Sequence, residues 1–157
     1  MALEYDFDTL TSAPTAYYFS GSAVLDEHRT SGFCKPTQTP IVAIFTISYV
    51  GNQVVSGNRT ILDGQQSQGI AYSCDGGISF TKYAKNPVIL LPPPGHEDQY
   101  NQFRDPFVFW FAAKNKWIMV ASLADEHMLL IYQSSDLKNW KYLSDFGPVN
   151  AQGKFST

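Results

Sequence analysis

The feature that most restricts this fold is a pattern of punctuation. Short runs of aromatic and β-branched residues are each closed by Gly, Pro, Asn or Asp, and no stretch repeats its apolar residues at helical spacing. The first runs are residues 17–25 (YYFSGSAVL), 41–50 (IVAIFTISYV), 68–73 (QGIAYS) and 79–83 (SFTKY), with turn-rich connections at 51–57 and 75–77. A second group lies at 107–111 (FVFWF), 116–123 (KWIMVASL), 128–134 (MLLIYQS) and 140–143 (WKYL), joined by turns at 113–115 and 136–139. Between the groups, residues 87–102 contain Pro92-Pro93-Pro94, which cannot sit in a central strand, so this segment reads as an ordered connector. The expected class is all-β.

The two groups resemble each other. Ile70-Ala71-Tyr72-Ser73-Cys74-Asp75 leads to Phe80, and Leu130-Ile131-Tyr132-Gln133-Ser134-Ser135-Asp136 leads to Trp140, about 60 residues later. Four strands closed by an Asp-led turn and an aromatic strand, twice over, is the pattern of propeller blades. An eight-stranded sandwich or jelly roll fits the same count and stays open at this point. Residues 73–80 (SCDGGISF) also resemble the Asp-box turn of sialidase-type propellers, a structural fold-back without catalytic duty.

Charge removes several function classes. A formal net charge of −3 without a basic cluster gives no footprint for nucleic acid or an anionic membrane surface. No apolar run reaches the roughly 20 residues of a membrane span. The opening MALEYDFDTL is acidic and unlike a signal peptide, so a cytosolic location is expected for the chain as written. Cys34 and Cys74 lack metal-site spacing and are expected to be buried free thiols. His28, His96 and His127 are scattered, so no metal and no cofactor is expected. A lone sequon, Asn58-Arg59-Thr60, lies among turn residues and accepts a glycan only in a secreted protein.

Two short motifs hold the candidate chemistry. Phe19-Ser20-Gly21-Ser22 stands near the start of the first strand of the first unit, and Phe103-Arg104-Asp105-Pro106 stands just before the first strand of the second. In a propeller the first strand of each blade lines the axial channel, so both motifs would face one cavity. Arg104 and Asp105 offer donors and acceptors suited to adjacent sugar hydroxyls, and the Arg charge would keep the Asp ionised. The plain structural alternative is an Arg-Asp pair bracing the turn before Pro106.

Taken in order, residues 19–24 (FSGSAV), 68–77 (QGIAYSCDGG), 86–89 (NPVI) and 103–106 (FRDP) resemble glycoside hydrolase family 32, the β-fructofuranosidases, inulinases, levanases and fructosyltransferases, especially fungal ones. The resemblance implies a five-bladed β-propeller with an axial active site, of which this chain would supply two four-stranded antiparallel blades. It divides the chain into a lead-in (1–16), a partial catalytic domain (17–157) with one blade at 17–86, the connector at 87–102 and another blade at 103–145, and a truncated lead toward the next blade (146–157). It makes Asp105 the transition-state stabiliser and places Arg104, Phe19 and Ser20 around the substrate, a β-fructoside.

The family's nucleophile is an Asp in an Asn-Asp-Pro-Asn-Gly block, and its acid/base is the Glu of a Glu-Cys pair. Neither is present in these 157 residues, although 147–153 (GPVNAQG) resembles the approach to the second. Retaining hydrolysis needs both carboxylates, about 5 Å apart. Glu97, Asp98, Asp125 and Glu126 read as solvated loop charges and not as substitutes. The chain alone is therefore expected to be inactive, either as part of a fructosidase or as a non-catalytic fructoside binder or vestigial partial propeller, and prone to self-association through exposed blade edges.

Overall fold

The computed structural model describes residues 6, 7, 10 and 13–147. One sheet is built from β1 (Asp6–Phe7), β2 (Pro14–Leu25), β3 (Ile41–Tyr49), β6 (Gln66–Ser73) and β7 (Thr81–Lys82), in that spatial order. The hairpin of β4 (Gln53–Val55) and β5 (Arg59–Ile61) is inserted between β3 and β6. The second sheet contains β8 (Phe103–Phe111), β9 (Lys116–Leu123), β10 (Met128–Ser134) and β11 (Trp140–Phe146), in chain order. All pairings are antiparallel. Among the described residues no strand crosses from one sheet to the other, as Greek-key sandwiches and jelly rolls require, so each sheet is an up-and-down meander of the blade type.

The two sheets share one core. Val42, Ile44 and Ile70 of the first pack with Phe103, Val108, Trp117, Met119, Leu130 and Tyr132 of the second, and all are buried. Each such side chain contributes roughly 1.5–3 kcal/mol when removed from water, so apolar contact, and not strand pairing, joins the sheets. β3 is buried on both faces, because Phe45, Ile47 and Tyr49 pack with Ala16, Ile61 and Ala71 on the other side. The far face of β8 is open, leaving Phe107, Phe109 and Phe111 substantially exposed.

Each sheet closes on the same turn. Asp75 accepts hydrogen bonds from the Ser79 hydroxyl (2.6 Å), the Ser73 hydroxyl (2.7 Å) and the Ser79 amide (3.0 Å), which hold its carboxyl well below the usual carboxylate range. Around Asp136, burial disfavours the charge. The amide and side chain of Asn139, the Lys138 amide and the Ser134 hydroxyl together outweigh that burial and lower its pKa.

Several expectations need correction. Residues 51–57 are not merely a connection, since 53–55 and 59–61 pair as a hairpin. β8 starts at Phe103 and not at Phe107: Pro106 is accommodated because the register shifts between Arg104 and Phe107, so its missing N–H falls in a bulge. Cys34 and Cys74 are neither free nor buried, but joined in a disulfide with Cα atoms 5.6 Å apart. The cause is the long β2–β3 loop, which folds back over the Asp75 turn. That loop is tied down by buried Asp26, which accepts from the Thr30 amide, the Thr30 hydroxyl and the Ser31 amide. It also reaches the second sheet, where Trp117 Nε1 donates to Thr30 Oγ1 at 2.7 Å and Lys138 Nζ donates to the Ser31 carbonyl at 2.6 Å.

Candidate functional site

Both candidate motifs fall on β-bulges in the first strand of their meander. In β2 the register moves from Tyr18↔Ile47 to Gly21↔Phe45, so Phe19 and Ser20 together oppose Thr46. In β8 it moves from Arg104↔Ser122 to Phe107↔Val120, so Asp105 and Pro106 together oppose Ala121. A bulge bends the strand and re-aims the side chains it carries. Phe19, Ser20 and Asp105 are all exposed, and Arg104 is half-buried.

The strands are short of apolar residues at these points for a reason. Gly21 lies so close to β3 that an added Cβ would overlap the Ile44 carbonyl oxygen and stand 2.7 Å from Phe45 Cα. Both obstacles are backbone and cannot swing aside. Gly21→Ala is therefore expected to destabilise the chain by about 1–3 kcal/mol. Urea denaturation would detect this, and an unchanged midpoint would show that the bulge tolerates a side chain.

A buried polar seam connects the two bulges. Thr46 Oγ1 accepts the Asp105 amide at 3.0 Å and donates to Gln68 Oε1 at 3.1 Å, while Gln68 Nε2 donates to the Phe103 carbonyl at 2.9 Å. Thr46 and Gln68 are fully buried, so these bonds are shielded from water. The Val108 amide donates to Ser22 Oγ at 3.0 Å a little further along. Asp105 itself has φ of +58°, in the left-handed region, and precedes a proline. Residues before proline favour extended backbone, so this conformation is maintained by its surroundings, at a cost on the order of 1–3 kcal/mol.

Arg104 and Asp105 do not form the ion pair that either sequence reading would place there. They are neighbours along a strand, and the Arg104 guanidinium instead donates to Gln102 Oε1 at 2.6 Å. Among the described residues the Asp105 carboxylate has no hydrogen-bond donor and faces outward. Two residues central to this geometry, Thr46 and Gln68, escaped sequence reasoning. For Thr46 the available signal was a polar residue within the mostly apolar run of β3; Gln68 stands in the polar start of β6 and carries no such signal.

The acidic residues weighed as substitutes lie outside the strands. Glu97, Asp98 and Asp125 are exposed, but Glu126 is paired with His96 at 2.7 Å, so it is not simply a solvated charge. Among the described residues no three His, Cys, Asp or Glu side chains converge to hold a metal. Two clefts of about 190 and 210 Å³ lie elsewhere, the first lined by Tyr18, Lys82 and Asn86 and the second by Lys116, Gln133 and Lys141. Neither includes Asp105, because two sheets wall only one side of the surface it faces. Residues 148–157, with most of the stretch resembling the approach to a Glu-Cys pair, lie outside the described residues.

Comparison with known proteins accounts for this arrangement. Residues 6–156 match the glycosyl hydrolases family 32 N-terminal domain. The extracellular exo-inulinase of Aspergillus awamori is 52% identical over 140 residues, covering 88% of this chain and 26% of that protein. The levanase of Bacillus subtilis strain 168 is 44% identical over 153 residues, covering 93% of this chain and 20% of the levanase. The crystal structure of the Aspergillus awamori exo-inulinase superposes with a TM-score of 0.85 at 50% identity, over 92% of this chain and 28% of the other. The chain thus spans about a quarter of the length of these relatives. Its two meanders are blades of the partial five-bladed propeller expected from the motifs, and the chain belongs to glycoside hydrolase family 32, within the N-terminal domain of that family.

Proposed function

We propose that this chain is the substrate-gripping arc of a retaining β-fructosidase propeller, with residues 17–86 and 103–145 as its two blades. Asp105 is the transition-state stabiliser, and Arg104, Phe19 and Ser20 border the same fructosyl pocket. The observation that carries this reading is the forced geometry of Asp105, a left-handed residue before proline on a bulge, fixed through Thr46 in a chain of this family. Bulges and strained backbone concentrate at active sites, where they set a side chain in advance of the substrate. A carboxylate so placed accepts hydrogen bonds from sugar hydroxyls, and these strengthen as the ring gains oxocarbenium character.

Bond cleavage itself needs the nucleophile and acid/base, which occur in blocks that this sequence lacks. The 157-residue chain alone therefore does not cleave. Relatives named for inulin and levan give the substrate class, a β-fructoside, without dividing its members. The protein works outside the cell: the Cys34–Cys74 disulfide suits an oxidising compartment, and the exo-inulinase relative is extracellular. This reading replaces the cytosolic location expected from the acidic N-terminus.

The test is a chimera in which this chain replaces the matching quarter of the Aspergillus awamori exo-inulinase, which then supplies both missing carboxylates. Fructose release from inulin or sucrose is expected. A folded chimera that releases none would refute the catalytic reading. Fructose-dependent perturbation of the isolated chain in that event would favour the non-catalytic binder, which the missing carboxylates alone motivate.

A further inference from the structure

We propose that Asn58 is a glycosylation site, receiving an N-linked oligosaccharide as the chain passes through the secretory pathway. The proposal rests on the extracellular reading above. Asn58-Arg59-Thr60 is the only Asn-X-Ser/Thr triplet in the sequence, so the chain offers one acceptor. A triplet by itself says little; its placement says more.

The triplet straddles the tip and return strand of the β4–β5 hairpin. Val55 pairs with Arg59, leaving Ser56, Gly57 and Asn58 as the turn. Asn58 has φ of +60°, which asparagine tolerates better than most residues. Its side chain and that of Thr60 are exposed, and neither has a hydrogen-bond partner among the described residues. Thr60 pairs with Val54, itself 63% exposed, so this face of the hairpin is open to an incoming group.

The middle residue points the other way. Arg59 Nη1 donates to the Pro87 carbonyl at 2.7 Å, and Nη2 donates to the Lys85 and Asn86 carbonyls at 3.1 and 2.9 Å. Arg59 thus clamps the hairpin to the start of the connector, while the residues on either side of it face solvent. Asn58 is exposed and belongs neither to the two apolar clusters nor to the Phe19 and Asp105 bulges, so an oligosaccharide there replaces no packing contact. The disulfide, one of the grounds of the extracellular reading, requires oxidising conditions to persist and so suits the same compartment.

In the transfer, the Asn58 carboxamide nitrogen attacks C1 of an oligosaccharide carried on a lipid pyrophosphate. A C1–N bond forms, the C1–O bond breaks, the lipid pyrophosphate departs, and the nitrogen loses one proton to a base of the transferring enzyme.

The experiment expresses the full 157-residue chain behind a supplied secretion leader in yeast and compares its mobility in total cells plus medium before and after endoglycosidase treatment. One downward step is expected. It should vanish completely in Asn58→Asp, which preserves the left-handed preference, and in Thr60→Ala, and persist in Thr60→Ser. Transfer occurs on the emerging chain, so a variant that folds poorly still reports. A wild-type chain with no step, or a step that survives Asn58→Asp, overturns the site. Because the leader is supplied, these outcomes are independent of natural secretion. That reading fails separately if the native protein is absent from the medium of its source organism.

Discussion

Asp105→Asn in the inulinase chimera is expected to lower kcat by about 10²–10³, with a much smaller change in KM. Asparagine keeps the shape of the side chain and tolerates the left-handed backbone at this position, so the bulge and its bond to Thr46 survive. The negative charge is lost, and one acceptor oxygen becomes an NH2 donor. That charge matters most when the fructosyl ring is positive, which is why the effect falls on the chemical step and not on ground-state binding. Steady-state kinetics on inulin, alongside a thermal midpoint matching the parent chimera, would separate this from misfolding. An unchanged kcat would move Asp105 out of the catalytic machinery and leave the bulge as a structural device.

The second large effect is on stability. Replacing both cysteines, Cys34→Ser with Cys74→Ser, is expected to cost about 4 kcal/mol, the loop-closure entropy of a cross-link spanning 40 residues. The double change avoids leaving a single reactive thiol. The bridge ties the β2–β3 loop to the Asp75 turn, and that loop in turn positions Thr30 against Trp117 and Ser31 against Lys138. Loss of the bridge should therefore loosen the contact between blades as well as the loop. Urea denaturation of the oxidised chain and the double variant measures the difference, and hydrogen exchange at Ser31 locates it. A cost below about 1 kcal/mol would mean that the loop is already restrained by Asp26 and its neighbours.

The strands carrying period-two or continuous apolar patterns were legible from the residues, as in Ile41–Tyr49 and Lys116–Leu123. What hid was whatever depends on partners distant in the chain. The β4–β5 strands are three residues each, too short to show a period beside their Gly-rich tip. β6 begins at Gln66, two residues earlier than the run read from the sequence: the Gln66 amide donates to the Tyr100 carbonyl and Ser67 Oγ to the Leu90 carbonyl, partners that are distant in the chain. Pro106 concealed the true start of β8 by the very rule that excludes proline from strands, a rule a bulge suspends. The disulfide joins cysteines 40 residues apart, and only the fold-back of the β2–β3 loop brings them together. For the candidate site, the motifs marked the two bulged stretches that carry Phe19 and Ser20 and, in the other sheet, Arg104 and Asp105. They did not reveal that Arg104 bonds to Gln102 and not to Asp105, because that partner is set by the bulged backbone and not by adjacency in the sequence.

The shared core has a consequence for how such a chain is made. Synthesis delivers β3 and β6 first, with Val42, Ile44 and Ile70 on a face that Phe103, Val108, Trp117, Met119 and Leu130 of the second sheet later help to cover. Those covering residues leave the ribosome much later, because they belong to the other sheet. Until then the nascent first blade is an apolar sheet with nothing to lie against, in the crowded space where sheets most readily pair with strangers. The polar residues Thr46 and Gln68 sit in that same uncovered face and interrupt it. The seam that later aims Asp105 thus also keeps the waiting surface wettable, so one pair of side chains serves both the birth of the fold and its finished site.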